Sequence, residues 1–299
     1  MKKFLCWLVT VCILLCLLFY KEEIVTYILV NVIYPREFIV EGKNDYALEN
    51  SYKYVQLTED FSPKNRQDLL NIFYTILNNG WDKFSFVCDL SYKDCTSDVQ
   101  AILDSPTILS DINNFVHPYN TYNEMHINMN NFGRIDVTVD KVYSDFDIAL
   151  IEAKKDEIEN NVLNDSMSLL EKIKAIHDYI IDTTVYDSNA SFDSTSKSHT
   201  AYGALINHTA ICGGYTDAMA LFLYDFGVLN YRVSSSEHIW TLLYINGQWK
   251  HLDLTWDDPV TNTGENMLLS KFFLISTSEL ENLNVADHAF DKSVFIEAN

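Results

Sequence analysis

The spacing of apolar positions changes several times along the chain, and each change marks an element. Phe4 to Tyr20 is a run of seventeen residues without a charge, bounded by Lys2-Lys3 and Lys21-Glu22-Glu23. That length just suffices for a helix through a bilayer, and the flanking charges place its start inside. Leu17-Leu18-Phe19-Tyr20 offers no small residues for a signal cleavage site. Residues 1–22 are therefore expected as an uncleaved transmembrane anchor with the remainder outside, the alternative being a buried core helix. A second apolar stretch, Ile24 to Tyr34, and a polar run through Asn44, Asp45, Glu49 and Asn50 read as a stalk over 23–60.

From Pro63 the pattern predicts a helix over Arg66–Leu77, a strand over Lys83–Cys88 and a helix over Thr96–Leu103. Two alternating segments follow, Glu124–Met129 and Arg134–Val142, meeting at Asn130-Asn131-Phe132-Gly133. His126 and Asn128 alternate with Met125, Ile127 and Met129 as in a half-buried strand. Residues 61–165 thus form a small α/β region without recognisable chemistry. Helices are expected over Asp147–Leu163 and Ser166–Ile181, the second capped by Ser166. Its stripe of Leu169, Leu170, Ile173, Ile176 and Ile180 includes His177, which reads as a satisfied core histidine. Ser, Asp and Thr dominate 187–198, a loop. Thr216–Phe226 is helical and Gly227 stops it. Strands are expected from Glu237-His238-Ile239-Trp240 to Ile245 and from Gln248 to Leu254, with Asn246-Gly247, the strongest short hairpin signal, between them.

A hydrophobic content of 48% supports a full core, whereas a net charge of −21 and a pI near 4.6 exclude a phosphate backbone as partner. The same acidity repels an anionic membrane surface, so attachment has to come from the apolar segment. Of six cysteines, Cys6, Cys12 and Cys16 fall in the expected anchor. Cys88 and Cys95 are either a disulfide or two buried thiols, and Cys212 is free in both cases. No Cys/His cluster has zinc-ligand spacing, and there is no phosphate loop, dinucleotide fingerprint or calcium loop, so no metal and no cofactor are expected.

Candidate chemistry begins at Cys212, at or just before a helix N-terminus. Unpaired backbone N–H groups and the helix dipole there favour a thiolate and can receive an oxyanion, while Gly213 and Gly214 would let a substrate backbone come close. With a two-residue turn, Ile245 pairs with Gln248 and Trp240 with Asp253. His238 and Asp253 then become same-face diagonal neighbours, roughly 7–8 Å apart at Cα. A histidine and a carboxylate so placed fit an imidazole held in one tautomer. A one-residue bulge in the turn would carry Asp253 to the other face.

The order Cys212, His238-Ile239-Trp240 and His251-Leu252-Asp253-Leu254-Thr255-Trp256-Asp257-Asp258-Pro259 resembles the transglutaminase-like superfamily, especially its bacterial members. The resemblance covers roughly 166–290, including His177-Asp178-Tyr179, the approach Ala201-Tyr202-Gly203-Ala204-Leu205 and a late strand at Phe272-Phe273-Leu274. It implies an α+β fold with a papain-like core in 166–299: a nucleophile helix packed on an antiparallel sheet. It implies Cys212 as nucleophile, His238 as general base and acid, and Asp253 as the group orienting His238. Trp240 and Trp256 could wall an acyl-binding cleft or simply fill core, and Tyr202 could help an oxyanion or cap the cysteine loop. His251 is not expected as the base, Asp257-Asp258 reads as a turn before Pro259, and His199 and His208 have no motif position. The implied chemistry is a thioester formed from a protein or peptide carboxamide or peptide bond. An amine acceptor then gives crosslinking, and water gives deamidation or hydrolysis; the motif leaves the acceptor open. A surface binding module with an idle triad is the alternative. A papain-type protease is disfavoured, since no Gln-rich oxyanion motif precedes Cys212.

Overall fold

A computed structural model describes residues 2–28, 42–88, 91–130, 133–190, 196–259 and 268–298. The N-terminal apolar run forms helix α1 (Lys2–Phe19), and α2 (Lys21–Ile28) follows. Among the described residues no helix is long and apolar enough to cross a membrane. The 18 residues of α1 rise about 27 Å, and its first turn is spent on two lysines. Nor is α1 a core helix, because Leu18 and Phe19 are 68% and 77% exposed. Residues 29–34, most of the second apolar stretch, lie outside the described residues.

The polar run beyond it is not a stalk. Leu48 N–H donates to Asn78 Oδ1 at 3.2 Å and the Asn78 amide returns a bond to the Leu48 carbonyl at 2.8 Å. Tyr52 and Val55 are buried, with the Tyr52 ring 5.0 Å from Phe115 and 5.2 Å from Tyr231. These apolar residues, spaced among polar ones, anchor the segment where the polar average suggested a linker.

Helix α3 (Arg66–Asn78) is capped by Asn65, which accepts from Asp68 N–H. Strands β1 (Lys83–Val87), β2 (Tyr122–Met129) and β3 (Arg134–Lys141) form an antiparallel sheet in the order β1-β3-β2. Cys88, just past β1, is disulfide-bonded to Cys95 at the start of α4 (Cys95–Leu103), which decides between the two readings of that pair. A further helix, α5 (Ile108–Asn113), escaped the pattern because it is little more than one turn long.

Helices α6 (Asp145–Val162) and α7 (Leu169–Thr183) precede the chemistry. Ser168, not Ser166, caps α7: its side chain accepts from Glu171 N–H while the Glu171 carboxylate takes the Ser168 N–H. Only Ser168 has an acidic residue three positions on, as a capping box requires. The short strands β4 (Val185–Tyr186) and β5 (Thr209–Ala210) pair in parallel, and α8 (Cys212–Asp225) starts from β5. Strands β6 (Asn230–Ser234), β7 (Ile239–Ile245) and β8 (Gln248–Leu252) form an antiparallel sheet in that order. Asn246 and Gly247 both have positive φ, 52° and 78°, the type I′ signature. The register Ile245↔Gln248 to Thr241↔Leu252 continues without a bulge. Helices α9 (Leu254–Asp257) and α10 (Thr277–Asn282) complete the elements. Phe272–Leu274 is not a strand: Leu274 sits in the left-handed region at φ 54°, and only Ile275 bridges back, to His251.

The β6-β7-β8 sheet lies between two cores, and the fold is α+β. Tyr231, Val233, Trp240 and Leu242 share a cluster with Leu69, Phe73, Phe86 and Phe115. Leu243, Ile245 and Leu252 join the α7 and α8 side chains on the other side. Period-two alternation sorts the strand residues to the two faces. Arg232 ties the layers: it donates to Asp217 Oδ1 at 2.9 Å, to Thr121 Oγ1 at 2.8 Å and to the Asn113 and Val116 carbonyls.

Candidate active site

Cys212 is the first residue of α8, a free and partly exposed thiol. Ile211 before it is extended, and its carbonyl accepts from Gly214 and Tyr215 N–H at 2.9 and 3.2 Å. The first N–H groups of a helix have no acceptor within it, so those of Cys212 and Gly213 open the helix beside the sulfur. The glycines have a different use from the one expected. A Cβ on Gly214 would lie 2.7 Å from the Ser198 carbonyl oxygen and 2.8 Å from that of Thr200; one on Gly213 would lie 3.0 Å from that of His199. They admit the chain's own 198–200 backbone, which is locked by the Ile211 N–H to Ser198 carbonyl bond at 2.9 Å and by the Ser198 hydroxyl bond to Asp187 at 2.6 Å.

His238 precedes β7, held by its N–H to Ser235 Oγ at 3.1 Å and by the Ser235 N–H to its own carbonyl at 2.8 Å. Its Nε2 lies 2.6 Å from Asp253 Oδ2, so the two residues expected as diagonal neighbours do meet. Asp253 caps α9: Oδ1 accepts from Trp256 N–H at 3.2 Å, and its own N–H reaches the Phe272 carbonyl at 3.2 Å. With Nε2 engaged, Nδ1 is the ring nitrogen left for Cys212.

A third group was not foreseen. His288, in a 3-10 turn over Ala286–His288, puts its Nε2 2.8 Å from the same Asp253 Oδ2. It stands between Phe272, stacked at 5.0 Å, and the rings of Trp240 and Trp256 at 4.9 and 5.3 Å. No local pattern in Val285-Ala286-Asp287-His288-Ala289-Phe290 announces this contact across 35 residues. Tyr186 on β4 is the other unforeseen neighbour. Its hydroxyl titration is raised first by burial and then by the charges of Cys212, Asp187, Asp253 and Asp287.

The electrostatics follow from burial set against hydrogen bonding. Burial works against a charged His238, yet the bonds to Asp253 and Cys212 outweigh it and push its pKa up to about 10. Burial likewise works against an ionised Asp253, but the bonds from His238 and His288 hold its carboxyl below the usual range. His251 goes the other way, lowered to about 3 by burial and by His288.

The remaining sequence candidates separate clearly. Trp240 has no exposed surface and cannot wall a cleft; it stacks beneath His238 at 5.6 Å, and its Nε1–H donates to His251 Nδ1 at 2.9 Å. Trp256 is half-buried against Phe272 and His288. Tyr202 lies under Lys197 Nζ at 5.2 Å, and its hydroxyl makes no hydrogen bond among the described residues. His177 is a wholly buried core histidine, as expected, between Asp178 at 2.8 Å and Asp257 at 3.3 Å. Asp257 and Asp258 are more than a turn: Asp257 Oδ1 accepts from Phe272 N–H at 3.0 Å, and Asp258 accepts from the Tyr215 hydroxyl at 2.6 Å. His208 takes a left-handed conformation at φ 56°, ending a π-helical turn over Gly203–Asn207.

His238, Asp253 and His288 bring metal-ligand atom types within 4.8 Å of one another. A zinc ion bonded at ~2.0–2.2 Å would hold a nitrogen and an oxygen roughly 3.4 Å apart at tetrahedral angles. The observed 2.6 and 2.8 Å are hydrogen-bond lengths instead. Glu124, His126 and Asp140 form a second such group, exposed on β2 and β3.

No family model and no curated protein matches the chain. Among solved structures it is similar to a transglutaminase (TGase), at a TM-score of 0.32 and 16% identity over 45% of this chain and 44% of that one. It is also similar to a presumed cysteine protease from Cytophaga hutchinsonii, at a TM-score of 0.27 and 12% identity over 49% of this chain and 65% of that one. The chain thus spans less than two thirds of either. Likeness at this level carries no argument about activity, which has to rest on the geometry above.

Proposed function

We propose that this chain is a cysteine-dependent acyl-transfer enzyme acting on carboxamides or peptide bonds of proteins or peptides. The observation that carries the reading is the coupling of one buried imidazole to both Asp253, at 2.6 Å, and Cys212, which together push its pKa up to about 10. The reaction starts with transfer of the Cys212 thiol proton to Nδ1 of His238, which leaves a thiolate beside an imidazolium. The thiolate attacks the carbonyl carbon, and the developing oxyanion is received by the N–H groups that open α8. Nδ1–H of His238 protonates the leaving amine or ammonia as the C–N bond breaks, leaving a thioester on Cys212. An acceptor amine or water, deprotonated by the now neutral His238, then releases the acyl group and restores the thiolate. Asp253 keeps Nδ1 aimed at the sulfur throughout. A binding module would have no use for such a pair.

The Cys88–Cys95 bridge persists where the surroundings oxidise. With the exposed apolar surface of α1 it supports a site of action outside the cytoplasm, on a chain held at a membrane by its N-terminal helix. The charge of −21 supports protein or peptide partners over nucleic acid.

The test is labelling with a thiol-reactive probe across pH, followed by incubation of a glutamine-bearing protein with a fluorescent primary amine. Labelling of Cys212 well below pH ~8.5, lost in Cys212→Ala and weakened in His238→Ala, is the expected result. Amine incorporation then denotes crosslinking, and ammonia or peptide release without it denotes hydrolysis. An ordinary thiol profile, indifferent to His238, would overturn the reading.

A further inference from the structure

We infer that His288 is a positioning residue of this site: its Nε2–H clamps the Asp253 carboxylate in the orientation that His238 needs, so that two imidazoles share one carboxylate oxygen. The inference rests on the acyl-transfer reading for its functional meaning, though not for its geometry. Asp253 is a residue with little freedom and much to hold. Among the described residues its Oδ1 has only the 3.2 Å bond from Trp256 N–H, while Oδ2 takes both His238 at 2.6 Å and His288 at 2.8 Å. A carboxylate served by His238 alone could rotate about its last bond; a second donor on the same oxygen, from an imidazole whose plane meets that of His238 at 85° with centroids 5.3 Å apart, opposes that rotation.

The proton on His288 is placed by its surroundings. Nδ1 is buried and has no hydrogen-bond partner among the described residues. A buried N–H donor left unpaired costs more than an unpaired acceptor lone pair. The proton therefore sits on Nε2, where Asp253 accepts it, and His288 presents a donor. The ring is fixed by Phe272, Trp240 and Trp256 on its faces and edges, and the 3-10 turn fixes its backbone through the His288 N–H to Val285 carbonyl bond at 3.1 Å. Aromatic walls around such a histidine leave it one rotamer, and the bond to Asp253 sets its tautomer. The other titratable groups facing the cluster are Cys212 from α8, Tyr186 from β4 with Asp187 after it, His251 from β8, and Asp287 beside His288.

Removing the donor while keeping the ring isolates the role. His288→Phe retains the stack on Phe272, whereas His288→Gln retains an N–H donor of similar reach. The readout is the 13C signal of the Asp253 carboxyl across pH in the full chain, with the rate of Cys212 labelling measured in parallel. In His288→Phe the Asp253 midpoint, and with it the acidic limb of labelling, is expected to rise by about one pH unit, the equivalent of one charge-assisted hydrogen bond; in His288→Gln both stay within a few tenths of a unit of the original. An Asp253 midpoint unmoved in His288→Phe, with only melting temperature lowered, would overturn the inference and leave His288 a packing residue. Should His288→Phe not fold, the 15N shifts of His288 in the unaltered chain decide: a protonated Nε2 is expected, and a proton on Nδ1 would overturn it. If the unaltered chain fails to label at Cys212 below the ordinary thiol range, the acyl-transfer reading falls, while the carboxyl titration still judges the clamp.

Discussion

The indole Nε1–H of Trp240 donates to Nδ1 of His251 at 2.9 Å, joining diagonal positions on β7 and β8. That bond makes Nδ1 an acceptor, so Nε2 carries the His251 proton and gives it to Thr277 Oγ1 at 3.0 Å, and the Thr277 hydroxyl in turn donates to the Ala298 carbonyl. His251 is thereby consumed by structure, which leaves His238 as the imidazole available to Cys212.

A neutral, buried His251 makes the fold sensitive to acid. Its pKa falls from 6.5 to about 3 on folding, first through burial and then through His288. Between those values the unfolded chain takes up a proton that the folded chain refuses, so stability declines as pH falls through that window. His117, lowered to about 3 by burial and then by Lys155 and Arg232, adds to the same loss. Urea denaturation at pH 7 and pH 4 should show His251→Gln losing less stability than the unaltered chain, by up to a few kcal/mol. Equal losses would refute this.

His238 produces the opposite dependence at the alkaline end. Its folded pKa of about 10 lies above its ordinary 6.5, so the stabilisation is complete below about pH 6.5 and is lost as pH rises through about 10. Cys212→Ala removes one of the two partners that raise it. Melting temperature followed from pH 7 to 11 should begin to fall at a lower pH in Cys212→Ala, and coincident curves would show that the sulfur does not couple to the imidazole.

Gly214→Ala tests the close approach behind the nucleophile. The added carbon would meet the Ser198 oxygen at 2.7 Å and Ala210 Cβ and the Thr200 oxygen at 2.8 Å, two of these being backbone atoms that cannot swing aside. A loss of about 1–3 kcal/mol is expected, with Cys212 labelling slowed at least tenfold as the start of α8 shifts. Normal labelling in a destabilised variant would confine the clash to stability.

Asp217 carries two buried partners, Arg232 at 2.9 Å and the Tyr143 hydroxyl at 2.6 Å. Asp217→Ala should cost about 3–5 kcal/mol by leaving the Arg232 guanidinium without its counter-charge. The double variant Asp217→Leu/Arg232→Met should recover more than half of that in denaturant titrations; additive losses would mean the pair is not a coupled unit.

The legible parts of the site were those that local rules control. Asn246-Gly247 admits one hairpin register, and that register alone brings His238 to Asp253. Gly227 and the apolar run behind Cys212 set the helix that carries the sulfur. What stayed hidden depended on the chain returning from afar. His288 reaches Asp253 only through the path of 268–288 over the sheet, and Gly213 and Gly214 are small because the 198–200 backbone lies on them, a contact with no sequence signature. Trp240 was open to a role as cleft wall or as core, with core the commoner use of such a tryptophan, and its absence of exposure decides for core. The polar run through Asn44, Asp45, Glu49 and Asn50 misled because its polarity outweighed Tyr52 and Val55, the buried residues that follow and anchor the segment.

Because β7 presents Trp240 and Leu242 to one core and Leu243 and Ile245 to the other, the N-terminal region is half of the support on which His238 stands. Cutting the chain before residue 166 to obtain a minimal enzyme would strip one face of that sheet to water and leave Arg232 facing solvent where Thr121 and the Asn113 and Val116 carbonyls had been. Activity and assembly are thus inherited together in this chain, and sequence drift in the stretch that carries no chemistry is constrained by the chemistry it shelters.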